Sequence, residues 1–128
     1  MLEITSLYAA LVAFVFIWLS VRVVRYRRGN RISLGHAEDN SLLKRMRAQA
    51  NCAEYAPISL ILLALVEMSG APSIALHVLG IMLVLGRVLH GWGFSASPPI
   101  MQARVTSMIL TFAMILLSAF GLLAHALF

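Results

Sequence analysis

Four long apolar stretches, 4–24, 48–66, 73–94 and 105–127, take up most of this chain. Each approaches the roughly 20 residues that a helix needs to cross about 30 Å of hydrocarbon. Inside lipid a backbone must satisfy its own amides, so each stretch is constrained to be helical. Only 12% of the residues are charged, about half the share of a soluble domain. The expectation is an all-α integral membrane four-helix bundle, one domain over 1–128. The first stretch is followed rather than preceded by its cationic cluster and lacks a small-x-small cleavage pattern, so it reads as a retained span. A lone Cys52 excludes an intrachain disulfide.

The charges set an expected orientation. Eight of the ten basic residues fall between Arg22 and Arg47, around the first connection, and the other two are Arg87 and Arg104. The second connection, 67–73, has none, and neither terminus has any. Basic connections stay in the cytoplasm, so the first and third connections are expected there and both termini on the non-cytoplasmic side. Because the cations flank spans, topology and anionic headgroups account for them, and no nucleic-acid partner is expected.

The loops are marked by their punctuation. Gly29-Asn30 signals the end of the first helix, and 33–40 reads as a polar loop with Asn40 or Ser41 capping the second. That second helix should run from about 41 to 67 and kink at Pro57. Ser69-Gly70-Ala71-Pro72 is the next turn. Gly91-Trp92-Gly93 should loosen the end of the third helix, and Pro98-Pro99 should stop it.

One segment resists a purely structural reading. In Arg47-Ala-Gln49-Ala-Asn51-Cys52-Ala-Glu54-Tyr55-Ala-Pro57, four polar residues fall on one helical face: Arg47, Asn51, Glu54 and Tyr55 are at i, i+4, i+7 and i+8. A charge near the bilayer centre costs about 3 kcal/mol on the insertion scale. Such a stripe must therefore face a partner or a polar ligand. Counting residues from each helix end puts Glu54 and Arg87 both about 10 Å inside the membrane. An acid and a base at one depth on adjacent helices should pair, so a Glu54–Arg87 contact is expected.

These residues resemble the second-helix signature of the MAPEG family, the membrane-associated proteins of eicosanoid and glutathione metabolism. The match is nearest the Arg-Ala-Gln-x-Asn-Cys-x-Glu-Tyr segment of its leukotriene-forming branch. Arg87-Val-Leu-His90-Gly-Trp-Gly-Phe94 looks like the Arg-Val-x-His-x-x-x-Tyr segment of the prostaglandin branch, with Phe94 in place of the Tyr. The span lengths and basic first connection extend the likeness over nearly the whole chain, in the style of small bacterial members.

The resemblance implies a homotrimer in the bacterial inner membrane, with glutathione as co-substrate in sites between protomers that open to the cytoplasm. It implies that Arg47, Asn51, Glu54 and Tyr55 hold the tripeptide, with Arg27, Arg87 and His90 beside them. Gln49 lies about 200° from Arg47 on the wheel and would serve a neighbour's site. Arg27-Arg28-Gly-Asn-Arg31-Ile-Ser matches the family's first-helix arginines. Arg104 matches the arginine that stabilises the thiolate, with Arg28 helping.

A thiol has a pKa of about 8.5 and reacts as its thiolate; a fixed guanidinium favours that anion at neutral pH. The expected activity is glutathione transferase or peroxidase chemistry on apolar electrophiles or lipid hydroperoxides. The alternative is a membrane protein that binds lipid and glutathione without chemistry, which the missing hydroxyl at Phe94 favours. A four-span exporter would need a mid-membrane acid in its first helix, where this chain has only Glu3. Cys52 reads as a small buried packer, and no His, Cys and carboxylate spacing suits a metal.

Overall fold

The computed structural model describes residues 1–96 and 98–128. Four helices fill it in order: α1 Glu3–Asn30, α2 Asn40–Met68, α3 Ser73–Ser95 and α4 Met101–Leu127. All four are long and apolar enough to span a bilayer, and no strand occurs among the described residues. Large apolar side chains such as Phe14, Ile61, Ile81 and Phe120 face outward, as they should where the surroundings are hydrocarbon.

The helix ends depart from the expected ones in instructive ways. α1 runs through both Gly29 and Asn30, and the left-handed residue that closes it is Arg31, at φ 55° and ψ 41°. The amides of Arg31 and Ile32 both return to the Arg27 carbonyl, which satisfies it without a glycine. α2 is capped by Asp39 rather than by Asn40 or Ser41: its carboxylate accepts the Leu42 amide at 3.1 Å. Asp39 wins because the Tyr26 hydroxyl of α1 donates to the same carboxylate at 2.8 Å, tying the cap to the first helix. Those two donors, Tyr26 first, hold the Asp39 carboxyl below the ordinary carboxylate range. α2 then continues unbroken through Pro57.

α2 and α3 each pack on all three other helices, α3 most extensively, whereas α1 and α4 share no packing contact among the described residues. The inward positions of α3 include glycines where a neighbour comes close. A Cβ at Gly80 would lie 2.2 Å from the Tyr8 ring of α1. Gly91 and Gly93 do not loosen the helix end; they remain helical and admit Leu19 of α1 and Ala103 of α4. The core is completed by Val12 and Leu19 of α1, Cys52 and Leu63 of α2, Leu83 of α3 and Met114 of α4.

One carboxylate fixes the far end of the bundle. Glu67, at the close of α2, accepts the Ile4 amide at 3.0 Å and the Thr5 amide at 2.7 Å. These are orphan donors of α1's first turn, and a carboxylate also suits the positive end of the helix dipole. The same end holds Tyr8, whose hydroxyl lies 2.9 Å from His77 Nδ1.

Candidate functional site

The polar stripe of α2 spans about 100° of the helix, and its two edges have different fates. Asn51 and Tyr55 form the edge turned toward α3 and α4; Arg47 and Glu54 form the edge turned away. Glu54 reaches back along its own helix to Arg47, Oε1 to Nη1 at 3.6 Å, and both side chains remain about half exposed, at 53% and 51%. The expected Glu54–Arg87 pair is therefore absent. Equal depth alone does not make a pair, because Glu54 points about 60° away from Asn51, the residue that meets α3.

Arg87 is buried instead, at 1% exposure, without a carboxylate. Its Nη1 donates to Asn51 Oδ1 and, at 3.4 Å, to the Asn51 carbonyl. Its Nη2 donates to Thr111 Oγ1 of α4 at 2.8 Å and approaches the Met108 sulfur at 3.6 Å. Thr111 can serve because its own hydroxyl proton goes to the Ser107 carbonyl at 2.9 Å. Arg87 also lies 5.6 Å from the centre of the Tyr55 ring, and that ring packs at 5.6 Å on Phe112. The guanidinium thus locks α2, α3 and α4 together and fixes the orientation of Asn51. Its Nε has no partner among the described residues.

Beside the outward edge lies a cleft of about 330 Å³ lined by Asn40, Leu43, Lys44, Arg47, Phe94, Pro99 and Arg104. The Arg104 guanidinium sits 4.2 Å over the Phe94 ring, and the buried His90 ring stacks on that same ring at 5.3 Å. A cation over an aromatic face is held by the ring quadrupole. Phe94 therefore positions Arg104 even though it brings no hydroxyl. Three cations, Lys44, Arg47 and Arg104, line the cleft, which suits an anionic ligand.

The structure brings together Arg47, Asn51, Glu54, Tyr55, Arg87, His90 and Arg104 at one end of α2, α3 and α4. Arg27, Arg28 and Gln49 are elsewhere. Arg27 and Arg28 line a second cleft of about 420 Å³ with Val24, Arg31, Ile32 and Ser33. There Arg27 Nη2 lies 3.3 Å from the Met46 sulfur. Gln49 is half-buried on the other side of α2. Cys52 is buried, 1% exposed, against α1. Lys44, Ser107 and Thr111 were not foreseen. For the last two the signal was present in α4, where Ser107, Thr111, Met114 and Ser118 recur at i, i+4, i+7 and i+11 and are its buried residues.

Four membrane-length helices, with a cation-lined cleft at one end, define an all-α integral membrane protein. The model of the MAPEG family matches residues 5–124, and the chain belongs to that family. It is similar to the inner membrane protein YecN of Escherichia coli K12, at 36% identity over 91 residues, which is 71% of this chain and 70% of that one. YecN of Escherichia coli O6:H1 gives the same figures.

Proposed function

We propose that this protein binds glutathione in the cleft beside Arg47 and Arg104 and activates its thiol for attack on apolar electrophiles or lipid hydroperoxides. The observation that carries the reading is the half-exposed Arg47–Glu54 pair on a membrane-length helix. Two charges left on a lipid-facing surface would be costly, whereas glutathione offers carboxylates to Arg47 and an ammonium to Glu54. Asn51 and Tyr55 complete the stripe, with Arg87 as a positioning residue that orients Asn51 from within. His90 supports the Phe94 ring.

Arg104 is the candidate for the thiolate's partner. Its guanidinium is held over Phe94 beside the cleft, and a fixed guanidinium favours a neighbouring thiolate. On a conjugation substrate the sulfur forms a bond to carbon, and the displaced electron pair leaves with the departing group, which takes up a proton. On a hydroperoxide the sulfur attacks the terminal oxygen and the O–O bond breaks. The alkoxide leaves as an alcohol, and a second thiol converts the sulfenic product to disulfide and water.

Arg27, Arg28 and Gln49 point away from this cleft, and α1 does not touch α4. They are assigned to the site of a neighbouring subunit, in a trimer whose basic end faces the cytoplasm of a bacterial inner membrane. Mixed assemblies test this. When R28Q and R104Q chains are co-expressed, about a quarter of intersubunit sites regain both arginines. Activity should recover to that extent; none returning would place both residues in one subunit's site.

A second reading keeps binding but not turnover. Phe94 favours it, since the ring that carries Arg104 supplies no hydroxyl. Glutathione binding with no product from conjugation or peroxide substrates would select it.

A further inference from the structure

The basic end of α1 carries two groups of cations that point in nearly opposite directions. At 100° per residue, Arg22, Arg25, Tyr26 and Asn30 gather on one face, and Arg27, Arg28 and Arg31 centre about 170° away. The second group belongs to the glutathione reading. The first does not. With Arg45 of α2 it lines a separate cleft of about 380 Å³. We infer that this cleft holds the phosphate of an anionic phospholipid, whose acyl chains lie along the exposed stripe Leu11–Phe14–Trp18.

Two of the three guanidiniums are fixed in place. Arg22 Nη1 donates to the Ser95 hydroxyl of α3 at 2.5 Å, and its guanidinium lies 5.3 Å from the Trp18 ring centre. Arg45 stacks 4.4 Å over the Tyr26 ring and donates to the Ser41 carbonyl at 2.9 Å. Neither stack neutralises charge. The one ion pair among the described residues is Arg47–Glu54. Asp39, which shares Tyr26 with Arg45, has both carboxylate oxygens engaged, one by the Tyr26 hydroxyl and the other by the Leu42 amide.

Three guanidiniums beside the single carboxylate of Asp39 leave an excess of positive charge at this cleft, which calls for an anion, and guanidiniums match phosphate through paired N–H donors. The stripe below decides which anion. Leu11, Phe14 and Trp18 all fall within about 80° of Arg22 on the helix, and all three are exposed. Trp18 is one turn from Arg22, and tryptophan is favoured where hydrocarbon meets headgroups. A free phosphate would fill the cleft and leave the stripe unused; a phospholipid engages both. This inference uses none of the residues assigned to glutathione and stands apart from that reading.

Trp18 supplies the test. The chain has two tryptophans, so W92F leaves Trp18 as the only tryptophan, read with excitation that spares the tyrosines. The full chain is reconstituted in phosphatidylcholine vesicles containing either phosphatidylglycerol or phosphatidylcholine brominated on the acyl chains near the headgroup. The brominated phosphatidylglycerol should quench Trp18 at a lower mole fraction than the brominated phosphatidylcholine. R22Q/R25Q/R45Q should reduce that preference by about fivefold per arginine. R27Q/R28Q/R31Q removes the same charge from the opposite face and should leave the preference in place.

Equal losses in the two triple variants would mean diffuse surface charge and would overturn the site. Loss of the preference in millimolar inorganic phosphate would identify a free-anion cleft and overturn the lipid assignment. If the first triple variant loses helicity, R25Q alone suffices. Arg25 is exposed and makes no hydrogen bond or ion pair among the described residues. A fivefold reduction in preference supports the site, and an unchanged preference refutes it.

Discussion

The buried Arg87 makes a sharp thermodynamic prediction, because its removal and the removal of its partner should not add. Asn51→Leu takes away the side-chain acceptor of Nη1 and leaves a cation at 1% exposure. It then has one good bond, to Thr111 at 2.8 Å, and a long one to the Asn51 carbonyl at 3.4 Å. Breaking a buried charge's pairing costs about 3–5 kcal/mol in soluble proteins. Neutral polar pairs inside membranes average only about 0.6 kcal/mol, with a maximum near 1.7. A charge-assisted bond should fall between, so Asn51→Leu is expected to cost about 2–4 kcal/mol.

Arg87→Met removes the cation along with its desolvation penalty and keeps an unbranched chain of similar reach. It should cost about 1–2 kcal/mol, mostly from the unpaired Asn51 amide. In the double variant neither charge nor amide is stranded. A cycle of reversible unfolding in mixed micelles should therefore give a coupling of at least about 1.5 kcal/mol between the two positions. Additivity within about 0.5 kcal/mol would show that Asn51 does not carry the Arg87 charge, and the account of the network would fail.

Other expectations follow from single contacts. Gly80→Ala must displace the Tyr8 ring, 2.2 Å from the new Cβ, and should cost about 1–3 kcal/mol. Gly121→Ala in α4 meets nothing within 4 Å and should stabilise by about 0.5–1 kcal/mol; thermal unfolding of both variants checks the pair. Glu67→Ala unties two amides of α1 and should lower the unfolding temperature, with faster hydrogen exchange at Ile4 and Thr5. The Asp39 carboxyl is held below its ordinary range by Tyr26 and the Leu42 amide, so its contribution is present at neutral pH. That contribution is lost as pH falls below about 4; the stability gap between wild type and Asp39→Ala should close over that interval. Arg104→Gln should lower kcat by tenfold or more, about 1.4 kcal/mol, while glutathione affinity changes by less than threefold. Unchanged kcat would remove Arg104 from the chemistry.

The four helices were legible because lipid leaves a span one choice of structure, and apolar length then fixes each span to within a few residues. The α2 stripe was legible for the same reason, since Arg47, Asn51, Glu54 and Tyr55 share a face whatever packs against it. Azimuth was not. Depth placed Glu54 level with Arg87, but only the packing of α3 showed that Asn51 and Thr111 reach Arg87 first. The cap of α2 escaped because Asp39 is selected by Tyr26, thirteen positions earlier and on another helix. Gly91 and Gly93 looked like looseners because a close approach by Leu19 or Ala103 leaves no local mark.

The central claim is that the hydrophilic stripe of α2 looks into a glutathione cleft rather than at lipid. Calorimetric titration of the detergent-purified protein with glutathione tests it most directly. The account predicts saturable heat in the wild type, and a loss of at least tenfold in affinity in both Arg47→Gln and Glu54→Gln, about 1.4 kcal/mol each. No heat in the wild type, or affinity untouched by either substitution, would contradict it.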